Sequence, residues 1–448
     1  GQPRSVSYDA NGNPLQQELI VAGSRIDASA TSFDAVDRPA RTLDAAGSLT
    51  SFEYDNVGNV VSMANPDGYR IGFDYDPMNR IVAAYDAEGN RVSTSRDLLG
   101  RVRTVTDPNG NATSYDYWGP EKDGRLKRIT QPKIQSFAQG RAMETDVDAN
   151  GNVTKLTQIG GDASTRDSYR FYDELNHPVR AVGPVTTVHG GVSQRLQTCY
   201  KYSALGDPIE IWAGPSTDIV SSTCNFSDAT LKRQIASSFD DLGRKLAETD
   251  QLNRQWTYSY DRYGNLTSSR TPNQIAANQS SSYTYDPVSG LLLSRTTPTA
   301  QTISYTRNAL GQVTRAETRD GSNVLIVAYD YTYDTAHRLK SVTDSRGNKT
   351  LNYSFSPGGW LSQVADSDGH TNTYRYDAVG RLQSIIAPNG ESTAYLWDAG
   401  GRLSQKWLSN GIQANYTWNA DNSLARLENK AGATTVSNHV YGYDAHGN

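Results

Sequence analysis

Aromatic and polar residues alternate in short runs along this chain, and each run ends at a turn signal. Phe73 and Tyr75 stand two positions apart, as do Tyr374 and Tyr376. Residues two apart share one face of a β-strand, so these runs predict strands that carry aromatic rings on one face. The same pairing recurs at Phe52/Tyr54, Tyr115/Tyr117, Tyr258/Tyr260, Tyr283/Tyr285, Tyr331/Tyr333 and Tyr395/Trp397.

The turn signals recur most often with a period of 21 residues. Residues 54–60 (YDNVGNV), 75–81 (YDPMNRI) and 96–102 (RDLLGRV) follow one another at this spacing, as do residues 376–382 (YDAVGRL) and 397–403 (WDAGGRL). A fixed period of this size indicates a repeat array, in which each unit packs mainly on its neighbours. About nineteen copies, some of them degenerate, can be counted. They begin at Tyr8, Phe33, Tyr54, Tyr75, Arg96, Tyr117, Val147, Tyr172, Tyr202, Phe239, Tyr260, Tyr285, Arg307, Tyr333, Phe355, Tyr376, Trp397, Trp418 and Tyr443.

Each period contains two turn signals. Residues 55–58 read Asp-x-x-Gly and residues 65–68 read Asn-Pro-Asp-Gly. Both fit a type I turn, in which the first residue caps the turn N–H groups and glycine accepts the left-handed conformation. About six or seven residues remain on each side, enough for one strand each, so the repeat is predicted to be a β-hairpin. In the outgoing strand Leu382 and Ile385 are three apart, and we expect the first of such a pair to pack under its own turn.

The predicted fold is all-β: one antiparallel meander of roughly 38 strands that occupies residues 1–448 as a single array. A sheet of that width does not stay flat, so it is expected to coil into a spiral or a hollow shell. Longer intervals between motifs place insertions near residues 118–140, 183–192 and 214–228.

The repeated unit resembles the YD repeat, also called the RHS repeat, of bacterial Rhs proteins, of the B and C components of insecticidal toxin complexes, and of teneurins. The resemblance extends over essentially the whole chain. It implies a large cocoon around a lumen, in a secreted or cell-surface protein whose repeats enclose or present a polypeptide such as a C-terminal toxin. Further repeats of the same protein are the other implied partner. The motif residues are Tyr54, Asp55, Gly58, Tyr75, Asp76, Arg80, Asp97, Gly100, Arg101, Tyr260, Asp261, Gly264, Tyr376, Asp377, Gly380 and Arg381.

The sequence predicts no enzymatic activity, cofactor or metal. The motif aspartate recurs in unit after unit, which fits turn capping, whereas a catalyst would need one special copy. The motif arginine is expected to lay its stem along the sheet and to pair with nearby acids. The six histidines are scattered, and no metal-ligand spacing, nucleophile elbow or phosphate loop is present. Relatives that cleave themselves do so in a segment after the shell, and no such segment is recognisable here.

Composition narrows the class of partner. The net charge is −5 and no basic stripe exists, which argues against a nucleic-acid partner. No run of about 18 apolar residues occurs, so no membrane span is expected. The low apolar fraction of 36% together with 27 tyrosines suits half-buried sheet surfaces. Because the chain starts on a repeat and stops inside one, we expect it to be a piece of a longer protein.

The two cysteines allow two interpretations. Cys199 and Cys224 lie 25 residues apart in one irregular region. They could form a disulfide that ties a long insertion to its hairpin, or they could be separate thiols in a reducing compartment. The spacing alone does not decide between them.

The aromatic content supports an alternative function: a cell-surface or wall-associated module that binds carbohydrate or a neighbouring cell. Trp118 and Trp212 border insertions and are the best placed for contact with a sugar, if their rings are exposed. Trp397 and Trp418 hold the aromatic position of the motif and are expected to belong to the aromatic row.

Overall fold

The computed structural model describes residues 4–21, 24–134, 137, 139–187, 193–216, 218–420 and 422–443. Within these ranges it contains 38 β-strands, a 3-10 turn and one short α-helix, which confirms the all-β prediction. The strands are β1 (Arg4–Tyr8), β2 (Pro14–Val21), β3 (Ser24–Phe33), β4 (Pro39–Leu43), β5 (Leu49–Tyr54), β6 (Val60–Ala64), β7 (Arg70–Tyr75), β8 (Ile81–Tyr85), β9 (Arg91–Arg96), β10 (Val102–Thr106), β11 (Ala112–Tyr117), β12 (Leu126–Thr130), β13 (Ala142–Val147), β14 (Val153–Ile159), β15 (Thr165–Tyr172), β16 (Pro178–Val182), β17 (Thr186–Thr187), β18 (Ser193–Tyr202), β19 (Pro208–Ser216), β20 (Lys232–Phe239), β21 (Lys245–Asp250), β22 (Gln255–Tyr260), β23 (Leu266–Arg270), β24 (Ser281–Tyr285), β25 (Leu292–Thr296), β26 (Thr302–Arg307), β27 (Val313–Arg319), β28 (Leu325–Tyr333), β29 (Leu339–Asp344), β30 (Lys349–Phe355), β31 (Leu361–Asp366), β32 (Thr371–Tyr376), β33 (Leu382–Ile386), β34 (Ser392–Trp397), β35 (Leu403–Leu408), β36 (Ile412–Trp418), β37 (Leu424–Ala431) and β38 (Thr434–Val440).

Strands that are neighbours along the chain pair antiparallel through most of the array, as β6 does with β7 and β7 with β8. A detour occurs at β16, which pairs with β18 while the short β17 lies beside β18. Because the chain runs back and forth, its turns alternate between the two rims of the sheet. We call the rim with turns such as Asp55–Asn59 the Asp-turn rim, and the rim with turns such as Asn65–Tyr69 the second-turn rim.

A β-bulge follows the Asp turn in many of the repeats. In β7 and β8, Tyr75 pairs with Ile81 and Asp74 pairs with Ala83, so Val82 is an extra residue. A bulge of this kind shifts the alternation of side chains by one position. The same shift occurs in β33, where Gln383 is the extra residue. It accounts for the three-residue spacing of Leu382 and Ile385, which strict alternation would forbid. The reason for that spacing is therefore a bulge in the paired strand.

Two short helical pieces interrupt the meander. The 3-10 turn Pro120–Lys122 lies in the predicted insertion near residues 118–140, and the α-helix, α1, spans Pro272–Ala276. Thr271 and Gln274 form a capping box at the start of α1. Residues 135, 136, 138, 188–192 and 217, which belong to the three predicted insertions, lie outside the described residues. Among the residues that are described, no helix is long and apolar enough to cross a membrane.

The chain divides into two compact units. Unit 1 contains residues 1–96, 105–110 and 284–393, and unit 2 contains residues 97–104, 111–283 and 394–448. Most fully buried apolar residues are small, among them Ala64, Ala83 and Ala328. Strand side chains are mostly half-buried, so the wall depends on backbone pairing and on contacts between neighbouring repeats.

Within unit 1, late Asp turns lie against early second turns. Arg338 donates to the Asp67 carboxylate at 2.5 Å, and the backbone N–H of Gly358 donates to Glu88 at 3.3 Å. His337 makes a further contact with Asp44. These partners are 270 to 293 residues apart in sequence, so distant parts of the ribbon meet rim to rim.

Unit 2 shows the same arrangement between its own turns. A Cβ placed on Gly400, in an Asp turn, would stand 3.4 Å from Ile134 in the insertion after β12. A Cβ on Gly160, in a second turn, would stand 2.9 Å from Ala420. In both places the small residue allows the close approach of the two rims.

Candidate functional site

The Asp turn is built by one carboxylate. Asp76 Oδ1 accepts from the backbone N–H groups of Met78 and Arg80, at 2.9 and 3.0 Å, while Oδ2 accepts from Nε of Arg80 at 2.8 Å. In other copies the residue four positions after the aspartate is Asn or His, and it reaches the same oxygen, as Asn59 does to Asp55 at 2.8 Å. The residue four positions after the aspartate thus closes the turn with both its backbone N–H and its side chain.

These hydrogen bonds stabilise the charged form of the carboxylate. The side-chain bond from Arg80 and the backbone N–H groups lower the pKa of Asp76. The pKa of Asp261 is also lowered, first by the side-chain bond from Asn265 and then by the backbone N–H of Asn265. A carboxylate held ionised by its own turn is an acceptor, and it is poorly suited to general acid chemistry at neutral pH.

The motif tyrosine links each repeat to the one before it. The Tyr75 hydroxyl donates to the Val60 carbonyl at 2.8 Å. The pairing of β6 with β7 ends at Ser62 and Gly72, so Val60 has no backbone partner in β7. The Tyr75 hydroxyl therefore takes the place of a backbone N–H donor for the Val60 carbonyl. The equivalent bonds run from Tyr54 to Pro39, Tyr117 to Val102, Tyr172 to Val153, Tyr202 to Pro178, Tyr260 to Lys245, Tyr333 to Val313 and Tyr443 to Leu424.

Other residue types at the same position make the same bond. Trp418 donates through Nε1 to the Leu403 carbonyl at 2.8 Å, and Arg307 donates through Nη2 to the Leu292 carbonyl at 3.2 Å. Tyr, Trp and Arg share a long side chain with a terminal donor. That shared property, visible in the sequence, is the signal that could have predicted this link.

The motif arginine also reaches the next repeat. Arg38 lies over the Tyr54 ring, 4.4 Å from its centroid, and donates to the Asp55 carbonyl at 3.1 Å. Successive motif rings are two strands apart, about 10 Å, which is too far for ring–ring contact. In the predicted aromatic row, guanidinium groups therefore lie between successive motif rings. Equivalent stacks are Arg101 on Tyr117, Arg244 on Tyr260, Arg338 on Phe355 and Arg402 on Trp418.

All the motif residues singled out from the sequence lie on the Asp-turn rim or on the strands that enter it. Gly58, Gly100, Gly264 and Gly380 have φ of 98°, 84°, 92° and 81°, the left-handed conformation that the turn requires. The aspartates Asp55, Asp97, Asp261 and Asp377 hold the capping position, and Arg101 and Arg381 pair with their own aspartates. The structure brings these residues together as a repeated ladder and not as one active centre.

The insertion between β19 and β20 is fixed at two points. The structure joins Cys199 to Cys224 by a disulfide, with a Cα–Cα distance of 6.1 Å. Arg180, only 2% exposed, donates to the carbonyls of Ser221 and Asp218 at 2.5 and 2.9 Å. Its burial lowers the pKa of its guanidinium, partly offset by the Asp218 carboxylate. Beside this network lies an open cavity of about 620 Å³.

Neither tryptophan proposed for sugar contact presents a free ring. Trp118 is half-buried, donates through Nε1 to the Thr145 carbonyl, and has Lys122 and Lys127 each 4.4 Å from its ring centroid. Trp212 is half-buried too and packs edge-on against Phe226. Carbohydrate binding through these rings stays a prediction.

One group of ligand-type residues gathers on the second-turn rim of unit 1. Asp366, Asp368 and His370 bring their side-chain oxygens and nitrogen within 4.8 Å of one another. His370 bonds Asp366 at 2.9 Å, and Lys349 bonds Asp368 at 2.6 Å. The group is thus an ordinary turn with its charges already paired.

Two family models match the sequence. The RHS Repeat model matches residues 33–70 and 54–91, and the Teneurin YD-shell model matches residues 247–396. These matches confirm the resemblance to RHS repeats and to the teneurin YD-shell over the matched residues. They support a structural shell scaffold.

Solved structures share the fold at low sequence identity. The crystal structure of TcdB2-TccC3-TEV aligns with a TM-score of 0.63 and 14% identity, over 98% of this chain and 28% of that one. The crystal structure of TcdB2-TccC3-Cdc42 aligns with a TM-score of 0.58 and 14% identity, over 96% of this chain and 26% of that one. This chain therefore spans little more than a quarter of the length of these structures. No curated protein sequence matches it.

Proposed function

We propose that the chain is a segment of the wall of a shell that encloses or presents a polypeptide, with a toxin as the cargo. The observation that carries this proposal is the ladder at the Asp-turn rim, where each repeat supplies donors to its neighbour, as Tyr75 does to Val60. The recurring polar groups are used to hold strands together. The matches to RHS and YD-shell repeats support the same role.

The proposed wall has no catalytic role. Its recurring carboxylates, such as Asp76, cap turns and are kept ionised by their hydrogen bonds. A secreted or cell-surface location follows from the resemblance to YD-repeat shells, and further repeats of the same protein are the neighbours that such a wall requires. That residues 1–448 form a single array of hairpins with insertions is part of this proposal.

Small-angle X-ray scattering of the chain at high dilution tests the proposal. A compact globule of 448 residues has a radius of gyration of about 22 Å by the usual scaling. We expect a clearly larger radius and a scattering profile with the minimum of a hollow or coiled body. A radius at the compact value would contradict a shell wall.

A further inference from the structure

Unit 1 leaves part of its Asp-turn rim uncovered, and that part carries large apolar side chains. Val36, Val57 and Met78 hold the same position, two residues after the motif aspartate, and are 66%, 71% and 72% exposed. The backbone N–H of each donates to its aspartate, which fixes the turn around it. Successive side chains are two strands apart, about 10 Å, so they form a row. Rows of exposed apolar residues mark interaction surfaces.

The covered Asp turns of the same unit show what such a rim packs against. Ala336 and Gly358 hold the position of Val57 there and are half-buried. Their turns lie on second turns whose third residue is an acid, Asp67 or Glu88. The preferred neighbour of an Asp-turn rim is therefore a second-turn rim of the same kind of ribbon.

Unit 1 also carries an uncovered second-turn rim. In the turn Asp366–His370 the third residue is Asp368, which is exposed and holds the position of Asp67. On the uncovered Asp-turn rim, Arg80 holds the position of Arg338. Residues of the same types as Arg338 and Asp67 thus recur in exposed turns, although Asp368 is bonded there by Lys349 and Arg80 by its own Asp76.

We propose that the row Val36, Val57 and Met78 docks the second-turn rim of another YD-repeat ribbon, supplied by a second copy of this chain. The inference rests on the proposed function, because it treats the chain as a wall segment that continues rim to rim. Such a contact joins two different surfaces, so it is head-to-tail and leaves the same two rims free on the outer copies.

Sedimentation velocity of the full chain over a wide concentration range tests the docking. We expect reversible association that grows beyond dimers at high concentration. The triple variant V36S/V57S/M78S should weaken association by about tenfold or more. The matched control I326S/L351S removes exposed apolar residues from strands of the same unit and should associate like the unmodified chain.

Cross-linking identifies the surfaces that meet. A mixture of the Val57→Cys chain and the Ser367→Cys chain should give a disulfide-linked heterodimer under mild oxidation, in preference to either homodimer. A chain that stays monomeric at every concentration, or a triple variant that associates normally, would overturn the docking. A preferred Val57→Cys homodimer would overturn it in favour of a symmetric contact. None of these outcomes bears on the scattering profile at high dilution, which tests the shell itself.

Discussion

Gly380 and Gly58 occupy the same position in two Asp turns but differ in what surrounds them. Both have positive φ, 81° and 98°. A Cβ on Gly380 would stand 2.8 and 2.9 Å from two atoms of the Trp360 indole, whereas a Cβ on Gly58 would meet nothing within 4 Å. Trp360 packs against Tyr376, with ring centroids 5.6 Å apart, so the indole has little room to withdraw.

Replacing each glycine by alanine should therefore separate backbone strain from steric conflict. A left-handed alanine costs about 1–2 kcal/mol, and this is the whole effect expected for Gly58→Ala. Gly380→Ala adds overpacking of about 1–3 kcal/mol, for a total of about 2–5 kcal/mol. The control Gly58→Asn should cost less than Gly58→Ala, because Asn tolerates the left-handed region and Asn79 holds it in the next repeat with φ of 60°.

Hydrogen exchange read by mass spectrometry is the suitable assay, because a repeat array opens locally and a single unfolding midpoint would average over many turns. The peptide that contains residues 377–381 should lose much more protection in Gly380→Ala than the peptide 55–59 loses in Gly58→Ala. Equal losses in the two variants would refute the role assigned to Trp360. Unchanged exchange in both would refute the left-handed turn itself.

Three further changes have expected outcomes. Tyr75→Phe leaves the Val60 carbonyl without its donor, so the free energy of exchange protection around β6 and β7 should fall by about 1–3 kcal/mol. Unchanged protection would show that the hydroxyl does not stabilise the contact between the two repeats. The pKa of Asp76 is lowered, first by the bond from the Arg80 side chain. The ionised carboxylate therefore stabilises the folded turn at pH values above the ordinary carboxyl pKa of about 4. This stabilisation is lost as the pH falls through the lower pKa of the folded state. The melting temperature should fall less steeply with decreasing pH in Asp76→Asn than in the unmodified chain. An identical pH dependence of the two proteins would contradict this. Cys224→Ser opens a loop of 25 residues and should destabilise the insertion by about 3.5 kcal/mol. The loss should be seen as faster exchange in residues 218–228, and slow exchange there would assign the stability to the buried Arg180 instead.

The sequence predicts the turns well because their chemistry is local. Asp55 and Gly58 lie within one turn, so residue type and spacing are enough to place them. The bulge after each turn was harder to predict, since the three-residue spacing in β33 has several explanations until the pairing is seen. The helix α1 is absent from the sequence prediction although Thr271 and Gln274 spell a capping box, because a helix of five residues is too short to show a helical period.

Contacts between distant turns could not be predicted from local pattern. Arg338 and Asp67 are 271 residues apart, and each is also an ordinary residue for its position in its own turn. Nothing in either repeat indicates which of the many other repeats will lie opposite. That choice depends on the accumulated twist of many strands, to which every bulge contributes.

The bond from Tyr75 to Val60 also bears on how such chains change in length over evolution. Each repeat brings one donor for the repeat before it and one acceptor for the repeat after it. A duplication of one whole unit in the gene therefore adds one tyrosine donor and one carbonyl acceptor. Neither group is left unpaired at the junction. A duplication of half a unit would send the following turn to the opposite rim and separate donor from acceptor. Arrays of this kind are free to grow and shrink by whole hairpin units, and selection should remove changes of any other length.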